Sequence, residues 1–349
     1  MNASKLKMSI FKKRDSNLVL LFCFMIGVFF LMTILGGSSF FSIASMKSMS
    51  FQFPLLGILS LAMMLTMISG GIDLSVVGIA NLTSIIASLI MINLIPEGAS
   101  GTTILMYVLF AIIVANLCGM LCGLFNAVAI AYIGIPAILV TLGTSQLFMG
   151  LAIVITKGKA IIGLPRQYSE IGYGSIAGIP FPLIVFIIMV AVTYFLLSKR
   201  KFGMELQLMG SNPKAAEFSG INSNKIILKT YMISGVFGSI AGLLIIASTN
   251  SAKADFGTSY ILQTILVAVL GGVSVKGGFG KVAGIVMAVL ILQFLSTGLN
   301  TLHLGNFFKD FVWGLVLLLV MTVTVLFVKY DWKKVPLFRR KSEDEKIYE

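Results

Sequence analysis

Charge is what this 349-residue chain lacks most: Asp, Glu, Lys and Arg make up 11% of it, while 58% is hydrophobic. Soluble domains carry roughly a quarter charged residues. No water-soluble core hides this much apolar surface, which excludes the ordinary soluble enzyme or binding domain. A bilayer can take it up, because its core accepts apolar side chains on every face of a helix. Histidine is scarcer still, with His303 standing alone. Histidine metal clusters, Ser-His triads and histidine proton relays therefore lack their parts. The three cysteines, Cys23, Cys118 and Cys122, all fall in apolar stretches and read as small membrane-core residues. Cys118 and Cys122 are four apart, on one helix face, with no His or acid beside them to complete a metal set. Paired catalytic carboxylates are missing, and so is any nucleic-acid-binding motif. A phosphate loop is missing too, because the nearest string, Gly271 to Lys281, is followed by Val282 instead of Ser or Thr.

What remains is a succession of apolar runs, each of a length to span about 30 Å of hydrocarbon. Ten are legible: Leu18–Leu35, Phe53–Ser69, a run from Asp73 to Ile95, Thr103–Ile133, Ala137–Thr156, Phe181–Leu197, Ile226–Ala247, Ile261–Val273, Val282–Leu302 and Phe307–Val328. The fourth is long enough to be tilted or broken. The expected fold is all-α, a polytopic transmembrane bundle with broken or re-entrant helices. The 35 glycines suit close helix contacts. The first apolar run is too long for a cleavable signal peptide and lacks its small-residue site.

An even number of spans places both termini on one side. With the N-terminus in the cytoplasm, basic residues divide 20 inside to 6 outside, which is the bias that sets orientation in membranes. The net charge of +13 is thereby read as topology control, not as a nucleic-acid surface. The domain plan is a basic cytoplasmic leader, 1–17, a membrane domain, 18–328, with a polar cytoplasmic loop at about 198–225, and a charged cytoplasmic tail, 329–349.

Two polar interruptions carry the functional argument. Ser69-Gly70-Gly71-Ile72-Asp73-Leu74-Ser75 breaks an apolar stretch. Its paired glycines allow backbone shapes that other residues resist, and an Asp before an apolar run signals a helix start. A carboxylate at membrane depth must be capped, paired or facing water, so Asp73 is read as helix cap, solute contact or gate. In the segment from Gly210 to Ile221, Asn212 is expected to cap a short helix, Pro213 to open it and Gly220 to end it. Ala215 and Ala216 on that helix leave room for a partner. The polar residues inside spans, including Asn116, Gln146 and Gln293, read mainly as bridges between helices. A candidate pathway or gate set is Asp73, Ser75, Asn81, Asn126, Thr141, Thr144, Gln263 and Asn300, whose hydroxyls and amides suit a neutral polyhydroxylated solute.

Residues 69–75 resemble the Ser-Gly-Gly-Ile-Asp-Leu-Ser-Val-Gly signature of ribose/xylose/galactose-type ATP-binding-cassette importer permeases. Ile135 to Thr144, Gly210 to Ile221 and Gly271 to Gly280 are similar to three further segments of that family, in the same order, over about residues 55–328. The chain departs from the pattern at Val77, which precedes Gly78, and at Ile138 and Leu139. The Gly-Gly-Ile-Asp-Leu string sets it apart from the related nucleoside and branched-chain amino-acid permeases and in the branch shared by sugar and autoinducer-type importers.

The resemblance implies a transport subunit of the bacterial inner (cytoplasmic) membrane and not an enzyme. It implies a second permease, identical or paralogous, a cytoplasmic ATPase subunit and a periplasmic or lipid-anchored sugar-binding protein as partners, with lipid around and no nucleic acid. It implies no cofactor on this chain, ATP being bound by the ATPase. The family's ATPase-coupling segment carries over to Gly210, Asn212, Pro213, Ala215, Ala216 and Gly220. The competing reading is an ATP-independent secondary transporter or channel for a small neutral solute.

Overall fold

The computed structural model describes residues 3–329. Its helices are α1 (Ala3–Phe40), α2 (Ile43–Ile68), α3 (Val76–Asn93), α4 (Gly101–Ala131), α5 (Ala137–Thr156), α6 (Arg166–Tyr173), α7 (Phe181–Ser198), α8 (Lys201–Ser211), α9 (Pro213–Phe218), α10 (Ser223–Thr249), α11 (Tyr260–Leu270), α12 (Val282–Thr301) and α13 (Asn306–Lys329). The only strands among the described residues are four two-residue pieces, β1 (Ile161–Ile162), β2 (Ser175–Ile176), β3 (Ile179–Pro180) and β4 (Ser251–Ala252). They pair antiparallel as β1 with β4 and β2 with β3. The protein is an all-α polytopic membrane bundle. The charged tail, from residue 330 onward, lies outside the described residues.

Among the described residues eight helices are long and apolar enough to cross a membrane, and they coincide with the first seven expected spans and the ninth. The eighth differs. It was expected over Ile261–Val273, but α11 has 11 residues, about 16 Å at 1.5 Å per residue, roughly half a bilayer core. Gly271 ends it, and the glycine-rich segment that follows folds back on the end of α2. This is a half-helix, the broken geometry that membranes tolerate only where protein covers the backbone. The tenth run forms α13, of 24 residues. The fourth forms one continuous helix of 31 residues, about 46 Å long, so it is tilted or projects beyond the core.

Local chemistry sets many of these boundaries. Ser42, Ser100 and Asn222 cap α2, α4 and α10, their side chains accepting hydrogen bonds from the backbone N–H groups of Ser45, Thr103 and Lys225. Each satisfies a donor that the first helical turn leaves unpaired. α5 and α10 stop at left-handed residues, Lys157 and Asn250.

Burial divides the helices into a central set and a peripheral set. Every residue of α2 from Leu56 to Ile68 is buried, as expected for a helix apolar on all sides. Leu105, Leu109, Ile113, Leu117, Leu121 and Phe125 of α4 form an exposed apolar stripe, the face a bilayer accepts. α10 joins the two halves of the core through small residues. A methyl group on Gly119 would sit 2.6 Å from the Gly235 carbonyl oxygen, and one on Gly235 would overlap the Gly119 carbonyl. Gly242 meets the backbone of Ala80 in the same way on α3. The spacings Gly119-x-x-x-Gly123 and Gly238-x-x-x-Gly242 are the small-residue patterns of close membrane-helix crossings.

The loop between α5 and α7 lies over one end of α10. Tyr168 donates a hydrogen bond to the Leu243 carbonyl (2.7 Å) and the Leu164 N–H donates to Asn250 Oδ1 (3.0 Å). The opposite end of the bundle, the α9 end, carries α8 and α9.

Candidate functional site

The break at residues 69–75 lies at the α9 end and is built around one carboxylate. α2 stops at Ile68, and Gly70, at φ +89°, reverses the chain. Gly71 threads a slot in which any side chain would strike the Tyr231 hydroxyl of α10 and the Ala137 Cβ at the start of α5. Asp73 follows, fully buried. Its Oδ1 accepts from the Ser75 N–H (3.0 Å) and the Ser75 hydroxyl (2.6 Å), and its Oδ2 accepts from the Ser234 hydroxyl of α10 (2.7 Å). Asn126 of α4 donates in turn to the Ser75 hydroxyl oxygen (2.7 Å). Thr141 of α5 lies 2.8 Å from the Ile72 carbonyl, to which its hydroxyl donates.

Four segments thus meet at one buried polar cluster: the break itself, which leads into α3, and α4, α5 and α10. A carboxylate out of water is costly unless hydrogen-bonded, and charge-assisted bonds are the strong kind. Three donors on Asp73 meet that need. Asp73 therefore holds the N–H of Ser75, immediately ahead of α3, and reaches across to another helix as well, a wider role than the expected helix cap. Two further buried polar atoms in the cluster, Asn126 Oδ1 and the Tyr231 hydroxyl, have no hydrogen-bond partner among the described residues.

The rest of the expected pathway set is scattered. Asn81 is buried and its amide donates to the carbonyls of Ala254 and Phe256, both at 2.9 Å, holding the loop after α10 to α3. Thr144 is buried and bonds within its own helix, to Thr141 O. Gln263 is buried near the start of α11. Asn300 is exposed near the end of α12 and accepts from Lys309. The structure gathers Asp73, Ser75, Asn126 and Thr141 in one place and leaves Asn81, Thr144, Gln263 and Asn300 outside it. Sequence reasoning passed over Ser234 and Tyr231, because a hydroxyl in a glycine-rich helix carries no local mark. It also passed over Gln146 as a site residue, although this amide stands at the middle of α5 and is exposed.

α9 forms as its residues dictate. Asn212 Oδ1 accepts from the Ala215 N–H (3.1 Å), Pro213 occupies the first helical position, and Gly220, at φ +76°, ends the helix while the Ile221 N–H returns to Ala216 O (3.0 Å). The two alanines differ in exposure. Ala216 is buried against the core, so it offers no partner surface, whereas Ala215 is exposed. Phe218 is the most exposed large hydrophobic side chain among the described residues, 93% accessible, on a helix that also exposes Lys214 and Glu217. Among the described residues no group of three His, Cys, Asp or Glu side chains is placed to hold a metal ion.

The fold is that of a multi-pass membrane protein. The sequence family described as branched-chain amino acid transport system / permease component matches residues 45–321, and the chain belongs to it. It is a permease subunit of an ATP-binding-cassette importer, a multi-pass protein of the bacterial inner membrane. Among its relatives, the autoinducer 2 import system permease protein LsrD of Enterobacter sp. (strain 638) is 31% identical over 80% of this chain and 84% of that protein. The proteins of the same name from Klebsiella pneumoniae subsp. pneumoniae and from Escherichia coli (strain K12) are each 30% identical, over 80% and 77% of this chain and 83% and 80% of theirs. No solved structure matches the chain.

Proposed function

We propose that this chain forms half of the passage by which an ATP-driven importer brings in a monosaccharide or similar small polyhydroxylated solute. It pairs with a second permease, identical or paralogous, receives solute from an extracytoplasmic binding protein and takes its drive from a separate cytoplasmic ATPase that binds the ATP. The N-terminus, α8, α9 and the tail face the cytoplasm in this reading, in keeping with the 20 to 6 distribution of basic residues. The observation that carries the reading is likeness to the autoinducer 2 permeases across about four-fifths of both chains. Autoinducer 2, the cargo named for those relatives, is the first solute to test here.

Two features of the geometry support the division of labour. Phe218 stands out from a short capped helix at the end carrying most of the basic residues, an aromatic anchor of the kind that dominates protein interfaces, and we assign it to the ATPase contact together with Ala215. Gln146 stands at mid-span on a face of α5 where Gly143 and Gly150 leave open space around them. An amide facing lipid is costly, so we place this face toward the passage, where the amide meets solute hydroxyls. The Asp73 cluster, buried and bonded, serves in this reading as the clamp that holds the gate region.

The test is co-purification. The chain expressed with the ATPase subunit of its importer is expected to retain that ATPase through a tag on the permease, and Phe218→Ala is expected to weaken the hold. Failure of the wild-type chain to hold any such ATPase would overturn the proposal.

A further inference from the structure

Three glycine-bearing segments, far apart in sequence, touch backbone to backbone at the α9 end. Gly210 is at the end of α8, and a methyl group there would overlap the Ile68 carbonyl oxygen and come within 2.6 Å of the Gly278 nitrogen. Gly277, at φ +86°, would place one 2.6 Å from the Gly210 carbonyl oxygen and 2.9 Å from the Gly70 Cα. Gly278, at φ +79°, would drive one into Ser211. The contact is bonded as well as close, since the Gly278 N–H donates to Ile68 O at 2.8 Å. That carbonyl is among those a helix end leaves without an intrahelical partner.

We propose that Gly210, Gly277 and Gly278 are positioning residues, a backbone joint that passes movement of α9 to the Ser69–Ser75 break and to the half-helix α11. The proposal rests on the reading of α9 as the ATPase contact. Ser211 alone separates Gly210 from Asn212, the cap of α9. On the second arm, Gly70 leads directly to Asp73 and its bonds to Ser75 and Ser234. On the third, the loop is closed on itself by Ser274 N–H to Phe279 O (2.9 Å) and Gly277 N–H to Ser274 O (3.0 Å), and Val273 N–H ties it to Ala268 O of α11 (2.9 Å). Side chains between moving parts absorb displacement by changing rotamer. Backbones in direct contact cannot, because a close-packed interior transmits strain. A shift of α9 therefore displaces all three arms together, and with them the half-helix and the carboxylate cluster.

Hydrogen–deuterium exchange on the full-length chain in lipid nanodiscs tests the joint in two arms. Gly210→Ala is expected to speed exchange about tenfold in residues 68–75, 205–221 and 271–281 together, as one cooperative unit, while Gly143→Ala, whose methyl meets nothing within 4 Å, leaves all three unchanged. An effect confined to 205–221 overturns the joint. In the second arm, binding of the ATPase is expected to slow exchange in all three segments of the wild-type chain, but only in 205–221 of the variant. Identical patterns in both overturn the joint, because a merely structural glycine would not decide how far the effect travels. If wild type binds no ATPase, the reading of α9 falls while the first arm still decides the joint. Should Gly210→Ala not fold, Gly280→Ala replaces it. The atoms nearest its methyl are in the side chains of Ile68 and Met64, and a smaller change of the same pattern is expected, its absence overturning the joint.

Discussion

Removing the Ser234 hydroxyl isolates the energetics of the Asp73 cluster. Ser234→Ala deletes one of three donors to a fully buried carboxylate, the one that crosses from α10 at 2.7 Å. A hydrogen bond to a charged group contributes about 1.5–3 kcal/mol, so the variant should lose about 2 kcal/mol. Asp73→Ala removes the acceptor of all three bonds and leaves the Ser75 N–H, the Ser75 hydroxyl and the Ser234 hydroxyl to find others. Its cost should be about 4 kcal/mol, in the range of a broken buried network. The two changes act on one bond, so they should not add. The double variant should be no less stable than Asp73→Ala alone, giving an interaction term of about 2 kcal/mol. The assay is denaturation of the purified chain in mixed micelles, followed by circular dichroism, for wild type, both single variants and the double. Additive losses, or a Ser234→Ala variant within about 0.5 kcal/mol of wild type, the range of a neutral surface change, would refute the account of Asp73 as a clamp between α3 and α10.

Other outcomes follow from the same structure. Gly235→Ala places a methyl against the Gly119 carbonyl and should cost about 1–3 kcal/mol, as overpacking does; an unchanged thermal midpoint would contradict the α4–α10 contact. Asn212→Ala removes a cap whose loss costs about 1 kcal/mol, and it should raise amide exchange in α9 while leaving α10 protected. Phe218→Ala should weaken ATPase binding about 30-fold, a loss of about 2 kcal/mol, with no shift in melting; equal binding would remove it from the interface. Ala215→Trp should block the ATPase without unfolding the chain, whereas Ala216→Trp, at a buried position, should lower the midpoint of the permease itself.

Much of this architecture was legible because membranes simplify the problem: apolar length alone marks a span, and nine of the ten expected runs became long helices. The exception, α11, shows the limit. Ile261 to Val273 is as apolar as a span, and only the packing of Gly277 on Gly70 and of Gly278 on Ile68 shows why the helix stops after 11 residues. The short helix α9 was readable from Asn212, Pro213 and Gly220, because capping is local chemistry. Which of its alanines is buried was not, because that depends on how α8 docks on α2. Asp73 stood out as a carboxylate in an apolar stretch, but its partner Ser234 lies 161 positions away, and nothing in an ordinary serine announces such a contact. The Gly119 and Gly123 pair on α4 was present as a spacing; its partner Gly235 was fixed only by the crossing.

The central claim is that this chain conducts solute only when an ATPase drives it. Proteoliposomes holding the permease alone, and others holding it with its ATPase and binding protein, can be compared for uptake of labelled autoinducer 2, ribose, xylose and galactose. The account predicts accumulation of at least one of these against a gradient in the complete assembly with ATP, and none with the permease alone. Gradient-driven uptake by the permease alone, with no stimulation by ATP in the assembly, would contradict it.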